Sequence, residues 1–221
     1  GRFETAKDYP NMLRGFGLVA AERADAVLLL AGQGSLLEET KKLTRDLNLE
    51  DRVRFLGVRR DVPELMNAAD AYVMSSAWEG MPMVLLEAGA CGLPIVATNA
   101  GGNREVVLDG ESGYIVPPGD AEALAAAMGK IMALFKSERT RMGQFGRAHV
   151  EANFSLERVV DQWEAIYLEM LARKGLGQRK EREVIAPGTA RTEYFPLLPH
   201  LSGGKRHSVK NGISNFKSNK R

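Results

Sequence analysis

Two carboxylates, Glu79 and Glu87, stand eight positions apart in the stretch Ser75 to Pro94, SSAWEGMPMVLLEAGACGLP. An apolar run, Ala71 to Met74, ends in Ser75 and Ser76; the loop Ala77-Trp78-Glu79-Gly80-Met81 follows, and a helix begins near Pro82. Proline suits a first helical turn, where its missing N–H would have no intrahelical partner. Strand, glycine-bearing loop and helix together aim backbone N–H groups at a phosphate. A carboxylate beside such a loop would repel that phosphate. Two of them flanking it suit a ligand that also carries hydroxyls, as a nucleotide sugar does. Each acid alone also fits a bland role: Glu79 as a partner for the helix dipole, Glu87 as a solvated helix residue.

The elements that must position this stretch alternate along the chain. Gly1 to Phe3 reads as the end of a strand. Residues 9–23 carry apolar side chains at Met12, Leu13, Phe16, Val19 and Ala20, the spacing of an amphipathic helix. Residues 25–31 form a continuous apolar run, as in a parallel strand covered on both faces. Ser35 is the expected cap of a helix reaching about Leu47. Strands are then expected at 53–56, 70–74, 94–98 and 113–116, with helices at 62–69, 82–91 and, as a short turn, 104–107. Pro117-Pro118-Gly119-Asp120 is turn and cap chemistry, and helices at 121–135, 137–151 and 155–173 close the ordered part.

Strands separated by helices of this length predict right-handed crossovers and a parallel sheet. Ligands of such sheets bind beyond the carboxyl ends of the strands. Gly1-Arg2, Gly32-Gln33-Gly34, Gly57, Ser75-Ser76, Thr98-Asn99 and Gly101-Gly102 all fall at those ends and together line one crevice.

Composition bounds the alternatives. The chain has 221 residues, 44% apolar and 26% charged, an ordinary globular balance. No apolar run approaches the roughly 20 residues of a membrane span, and no signal-peptide pattern is present. The single cysteine, Cys91, excludes an intrachain disulfide and reads as a small buried hydrophobe in a reducing compartment. Met81 and Met83 read as loop and core filler, and His149, His200 and His207 as non-catalytic. The sequence starts at Gly1 with no methionine, which reads as a fragment or a processed chain. The net charge of +2 is uneven: residues 175–221 carry ten Lys/Arg against three Asp/Glu, and the other 174 residues have a balance of −5. This basic tail lacks apolar periodicity and is expected to be disordered, with a short apolar contact around Tyr194 to Leu198. Nucleic-acid binding is not expected of it, since charge runs are mostly solvated.

The ordered series GR…K, AGQG, FLG, EGMPMVLLEA, G-x-P-IVAT, GGNREVV and GYIVPPGD resembles the C-terminal, donor-binding domain of the retaining glycosyltransferases of sequence family four (glycosyl transferases group 1). The likeness covers about residues 1–173, and its most diagnostic element, E-x7-E, is Glu79 and Glu87. It implies an α/β fold, a Rossmann-like parallel sheet flanked by helices, forming one half of the GT-B architecture. Residues 1–174 would be the nucleotide-sugar domain, its first strand truncated, and 175–221 the tail.

That resemblance implies a role for each matching residue. Arg2 and Lys7 would reach the donor diphosphate and neutralise the charge that grows as it departs. The backbone of Gly80, Met81, Pro82 and Met83 would complete the phosphate cradle. Glu79 would contact hydroxyls of the transferred sugar. Glu87 would accept from the two ribose hydroxyls, which suit the two oxygens of one carboxylate. Val58 and Arg59 would lie at the base, largely through backbone groups. Trp78 fits a donor-site wall or packing equally. No cofactor and no metal is expected, the nucleoside-diphosphate sugar, of UDP or GDP type, being the donor substrate.

The family also carries an N-terminal domain that binds the acceptor and closes over the donor, and its motifs are absent before Gly1. Without it the chain should transfer little or nothing. The final helix would pack toward that domain, leaving Leu156, Val159, Val160, Trp163, Ile166 and Tyr167 partly exposed. The expected activity is therefore hexosyl transfer in polysaccharide assembly, at a cytoplasmic location. The sequence shows no membrane anchor and leaves peripheral association with the inner membrane surface open. Two rivals remain: a non-catalytic nucleotide-sugar-binding module, and another enzyme on the same architecture, a nucleotide-sugar epimerase or a phosphorylase.

Overall fold

A computed structural model describes residues 1–174; the expectations for the tail, including His200 and His207, lie outside the described residues. Helices and parallel strands alternate as α1 (Tyr9–Glu22), β1 (Leu28–Ala31), α2 (Leu37–Asp46), β2 (Val53–Gly57), α3 (Val62–Ala68), β3 (Tyr72–Met74), α4 (Met83–Ala90), β4 (Ile95–Thr98), α5 (Asn103–Val106) and β5 (Gly113–Val116). Three helices follow: α6 (Ala121–Ala133), α7 (Lys136–Phe154) and α8 (Leu156–Arg173). The result is the expected Rossmann-like α/β domain.

Every strand pairing is parallel. Leu28 to Leu30 of β1 stand opposite Val53 to Phe55 of β2. Tyr72 to Met74 of β3 stand opposite Ile95 to Ala97 of β4, which in turn pairs Ile95 to Thr98 with Gly113 to Val116 of β5. The strands do not form one sheet, however. β1–β2 and β3–β4–β5 are separate pieces with no ladder between β1 and β3.

That division explains where the strand expectations fail. All four residues of β4 are buried, as a central parallel strand requires. β1 begins only at Leu28, and Val27 and Leu29 are 53% and 45% exposed, so the apolar run at 25–31 is not covered on both faces. Gly1 to Phe3 forms no strand, although Phe3 donates its N–H to Gln33 O at 2.9 Å. This bond and that of the Gly1 amine to Ala31 O are too few for a ladder.

The helices start where their caps allow. Asp8 (φ +45°) accepts from Asn11 N–H at 3.2 Å and opens α1, with Pro10 in the first turn. Asp120 accepts from Ala123 N–H at 2.8 Å and opens α6, as its turn chemistry predicts. Ser155 does the same for α8 through Arg158 N–H at 3.3 Å. Ser35 does not cap α2; Leu36 holds that position, and its N–H donates to Phe3 O at 3.0 Å. Glu38 and Glu39 then face the positive end of the α2 dipole.

Two apolar clusters sandwich the strands. One gathers Phe3, Leu13, Phe16, Leu30, Val96, Leu124 and Ile131, drawn from α1, β1, β4 and α6. The other gathers Met66, Met74, Leu85, Ile95, Val106 and Val150 from α3, β3, α4, β4, α5 and α7. Phe3 stacks on Tyr9 with centroids 4.2 Å apart, fixing the segment before α1 against the first cluster. α8 buries none of its residues: Leu156, Val160, Trp163, Ile166 and Tyr167 are exposed and Val159 is half-buried, in keeping with the partial exposure expected. Cys91, expected to be buried, is half-buried at the end of α4, where desolvation raises its thiol pKa.

Candidate functional site

The chain between Gly1 and Asp8 is clasped from two sides. Ser75 Oγ stands 2.8 Å from Lys7 O and 3.0 Å from Asp8 O, and Ala77 donates its N–H to Ala6 O at 2.8 Å. These bonds tie the single helical turn Thr5–Lys7 to the carboxyl end of β3. The left-handed conformation of Asp8 then turns the chain into α1.

Lys7 therefore points at the loop after β3. Its Nζ donates to Glu79 Oε1 at 2.5 Å, and Ser76 Oγ donates to the same oxygen at 2.6 Å. The side chains of Lys7 and Glu79 are 26% and 12% exposed, so the pair is largely withdrawn from water. Glu79 Oε2 has no partner among the described residues, and a lysine ammonium has three donors, of which this contact uses one.

A second loop holds Glu79 in place. Thr98 Oγ1 donates to Ser76 O at 2.6 Å, and Asn103 Nδ2 donates to Thr98 O at 2.8 Å, both within buried surroundings. Gly102 N–H donates to Gly80 O at 3.0 Å. Gly101 has φ +51°, and a Cβ there would sit 2.0 Å from Glu79 O. Only glycine both adopts that conformation and admits the loop so closely. Ser76, Thr98 and Gly101, which the sequence placed only at strand ends, and Asn103, which it did not assign, are the structural supports of Glu79. The serine pair and Gly-Gly had marked strand ends, but no spacing rule connects Thr98 to Ser76.

The other expected residues are distributed unevenly. Arg2, Lys7, Val58 and Arg59 border one cavity of about 760 Å³ that also reaches Ser75 and Ser76. Gly80, Met81, Pro82, Met83 and Glu87 lie outside it, on the loop and helix beyond. Arg2 is solvent-exposed and pairs with Glu4 at 3.2 Å. Arg59 makes a two-point fork with Asp61, holding that carboxyl below its ordinary pKa. Its guanidinium is thus engaged within its own loop. Val58 is exposed just after Gly57.

Pro82 is not inside the first turn of α4. It occupies the cap position, with ψ +85°, because the loop turns into the helix one residue later than its sequence suggests. Met83 N–H donates to Met81 O at 3.1 Å, so it is already engaged. Like those of Trp78 and Glu79, the N–H groups of Gly80 and Met81 have no partner among the described residues. Glu87 is exposed on α4, and its charge, like that of Lys7, is felt at the Gly1 amine; Glu79 and Glu87 both act on the Tyr72 phenol.

Trp78 is 59% exposed and packs no core. His149 stands within 2.8 Å of Glu105 O and joins α7 to α5. Arg104 donates to Asn99 Oδ1 at 2.8 Å on the surface. Among the described residues, no group of three or more His, Cys, Asp or Glu side chains is placed to hold a metal ion, and no helix is long and apolar enough to cross a membrane.

A parallel α/β domain with polar loops gathered at the carboxyl ends of its strands is of the Rossmann-like class. Within that class the chain belongs to the glycosyl transferases group 1 family, whose model matches residues 1–149. It is 36% identical over 171 residues to N-acetyl-alpha-D-glucosaminyl L-malate synthase of Bacillus anthracis, covering 76% of this chain and 44% of that protein. It is likewise 36% identical over 174 residues to the lipopolysaccharide core biosynthesis glycosyltransferase LpsE of Rhizobium meliloti (strain 1021), covering 79% and 48%. The chain spans less than half the length of either relative.

Among solved structures, Anabaena Alr3699/HepE in complex with UDP matches with a TM-score of 0.70 at 27% identity, over 77% of this chain and 47% of that one. The C-terminal domain of a glycosyl transferase group 1 protein, LpcC of Francisella tularensis, matches with a TM-score of 0.64 at 22% identity, over 71% and 84%, and bears on the fold alone. The domain is one half of a GT-B fold.

Proposed function

We propose that these residues form the donor-binding, C-terminal domain of a retaining hexosyltransferase that uses a nucleoside-diphosphate sugar, with UDP the favoured nucleotide. The observation that carries the reading is the Lys7–Glu79 contact at the strand ends, with Ser76 on the same carboxylate oxygen. It supplies a cation for a diphosphate and a carboxylate for sugar hydroxyls within one constellation. The UDP and UDP-glucose complexes of HepE support the choice of nucleotide.

Departure of a nucleoside diphosphate builds negative charge that fixed cations and N–H dipoles must meet. Lys7 keeps two donors for it, Arg2 adds an exposed guanidinium, and the N–H groups of Gly80 and Met81 complete the cradle, so that no metal is required. Glu79 Oε1 is held by Lys7 and Ser76, and Oε2 accepts from the sugar. Glu87 accepts from the ribose hydroxyls, and the backbone of Val58 and Arg59 meets the base. Retention follows from the leaving diphosphate lying beside the incoming acceptor hydroxyl. That hydroxyl is presented by an acceptor domain outside these residues, without which transfer is slight.

Calorimetric titration with UDP, GDP and ADP tests the reading. UDP should bind, and Glu87→Ala should weaken it by about 1–3 kcal/mol, the cost of a lost charged hydrogen-bond partner. A folded chain that binds no nucleotide, even after an acceptor domain is added back, would overturn it.

A further inference from the structure

We propose that the consecutive serines after β3 divide the donor site between them: Ser75 positions Lys7 for the diphosphate, and Ser76 positions Glu79 to select the transferred sugar. The inference rests on the donor-binding reading above and deepens it, since it gives sugar selectivity to a residue that carries no charge of its own.

Ser75 and Ser76 are 1% and 0% exposed and follow directly on Met74, the last residue of β3 to pair with β4. Successive side chains along a strand point to opposite sides, and these two reach opposite halves of the site. A buried hydroxyl must find a partner, so what each serine bonds is also what it holds.

Ser75 acts on backbone. Its Oγ stands 2.8 Å from Lys7 O and 3.0 Å from Asp8 O. A hydroxyl has one proton to donate. Asp8 O also accepts from Met12 N–H at 3.2 Å, so the proton of Ser75 serves Lys7 O. That bond fixes the residue from which the ammonium stem leaves. A second tie, Ala77 N–H to Ala6 O at 2.8 Å, holds the same turn independently. Loss of the Ser75 hydroxyl therefore loosens Lys7 without detaching it.

Ser76 acts on a side chain. An ionised carboxylate carries no proton, so Ser76 Oγ is the donor in its 2.6 Å bond to Glu79 Oε1. Lys7 Nζ lies 2.5 Å from the same atom. Two donors fill the acceptor sites of one oxygen, which leaves Oε2 as the atom that meets a ligand. A carboxylate free to turn about its last bond offers either oxygen, or both, to neighbouring hydroxyls. One held at Oε1 offers a single acceptor in a single direction, and so distinguishes sugars by where one hydroxyl stands. Ser76 is itself fixed, because the fully buried Thr98 donates its Oγ1 to Ser76 O at 2.6 Å. Alanine at either serine removes one donor and adds no atom, so neither variant is overpacked.

Calorimetric titration of the full chain, Ser75→Ala and Ser76→Ala separates the two tasks, with UDP, UDP-glucose, UDP-galactose and UDP-N-acetylglucosamine as probes. Ser75→Ala should weaken all of them by a common factor of about 3 to 10, the worth of one hydrogen bond, and keep their order. Ser76→Ala should weaken the tightest nucleotide sugar by about 3- to 10-fold, change UDP by less than about twofold, and narrow the spread among the sugars. Equal factors for UDP and for the sugars in both variants would make the serines common supports of the loop and overturn the division. A parent that binds UDP but holds every nucleotide sugar no differently from UDP would overturn it too, since Glu79 then reads no hydroxyl. A parent that binds no nucleotide would overturn the donor reading itself, and this inference with it.

Discussion

Lys7 Nζ and Glu79 Oε1 lie 2.5 Å apart, although 72 residues separate them in sequence. Neither residue is placed by its own element alone. Lys7 sits on a single helical turn held by Ser75, and Glu79 on a loop held by Ser76, Thr98 and Gly101. The contact therefore reports whether the two loops are correctly docked.

Breaking one partner should cost more than breaking both. Lys7→Met leaves a carboxylate that is 12% exposed with only Ser76 to satisfy it. Uncompensated charge at a withdrawn site is the expensive outcome. The Tm of Lys7→Met should fall, and Lys7→Met/Glu79→Gln should recover part of the loss. UDP affinity should fall in both, by roughly 10- to 100-fold, because the cation for the diphosphate is gone. Denaturation and titration of the four proteins of the cycle check this. Strict additivity of the two stability changes would show that the contact carries no coupling.

Gly101→Ala addresses the other loop. The new methyl would enter the space of Glu79 O, and φ +51° is costly for any residue with a Cβ. A loss of about 1–3 kcal/mol is expected, together with weaker UDP binding as Glu79 shifts. Gly129→Ala on α6 is the control: a Cβ there meets nothing within 4 Å, and its φ is not in the left-handed region. If both substitutions weaken binding equally, the Gly101–Glu79 approach does not hold the site.

How much of this was legible beforehand depended on whether the signal was local. The 3.6-residue spacing of Met12, Leu13, Phe16 and Val19 gave α1, because one face of a helix must meet the core. The continuous run Ile95–Thr98 gave a buried strand for the same reason. The Glu79 to Glu87 spacing named two residues of the candidate site, of which the structure joins Glu79 to Lys7 and leaves Glu87 exposed on α4. What was not legible came from long-range docking. No local rule connects Ser75 to the carbonyls of Lys7 and Asp8, or Thr98 to Ser76. The apolar run at 25–31 predicted a covered strand, yet Leu29 is 45% exposed, since coverage depends on what lies beside β1 and not on its own composition. Ser35 failed as a cap because the helix begins one residue later, with Leu36 at the cap position.

Tyr9 gives the pH dependence. Its ring stacks on Phe3, and burial pushes its phenol up to about 12, against 10 for an ordinary tyrosine. The neutral phenol is thus favoured by folding. Its contribution is fully present below pH 10 and is lost as the pH rises from 10 to about 12. Two pH units correspond to about 2.7 kcal/mol. Tyr9→Phe keeps the stack and removes the titrating group, so the variant should match the parent at pH 8 and lose less stability on going to pH 11.5. Tyr72, whose pKa burial also raises, keeps part of the alkaline loss in both proteins. Urea denaturation at pH 8 and pH 11.5, with tyrosinate absorbance followed in parallel, measures the difference. Equal alkaline losses in parent and variant would mean that Tyr9 ionises without cost, and that the segment joining Phe3 to α1 is open to water.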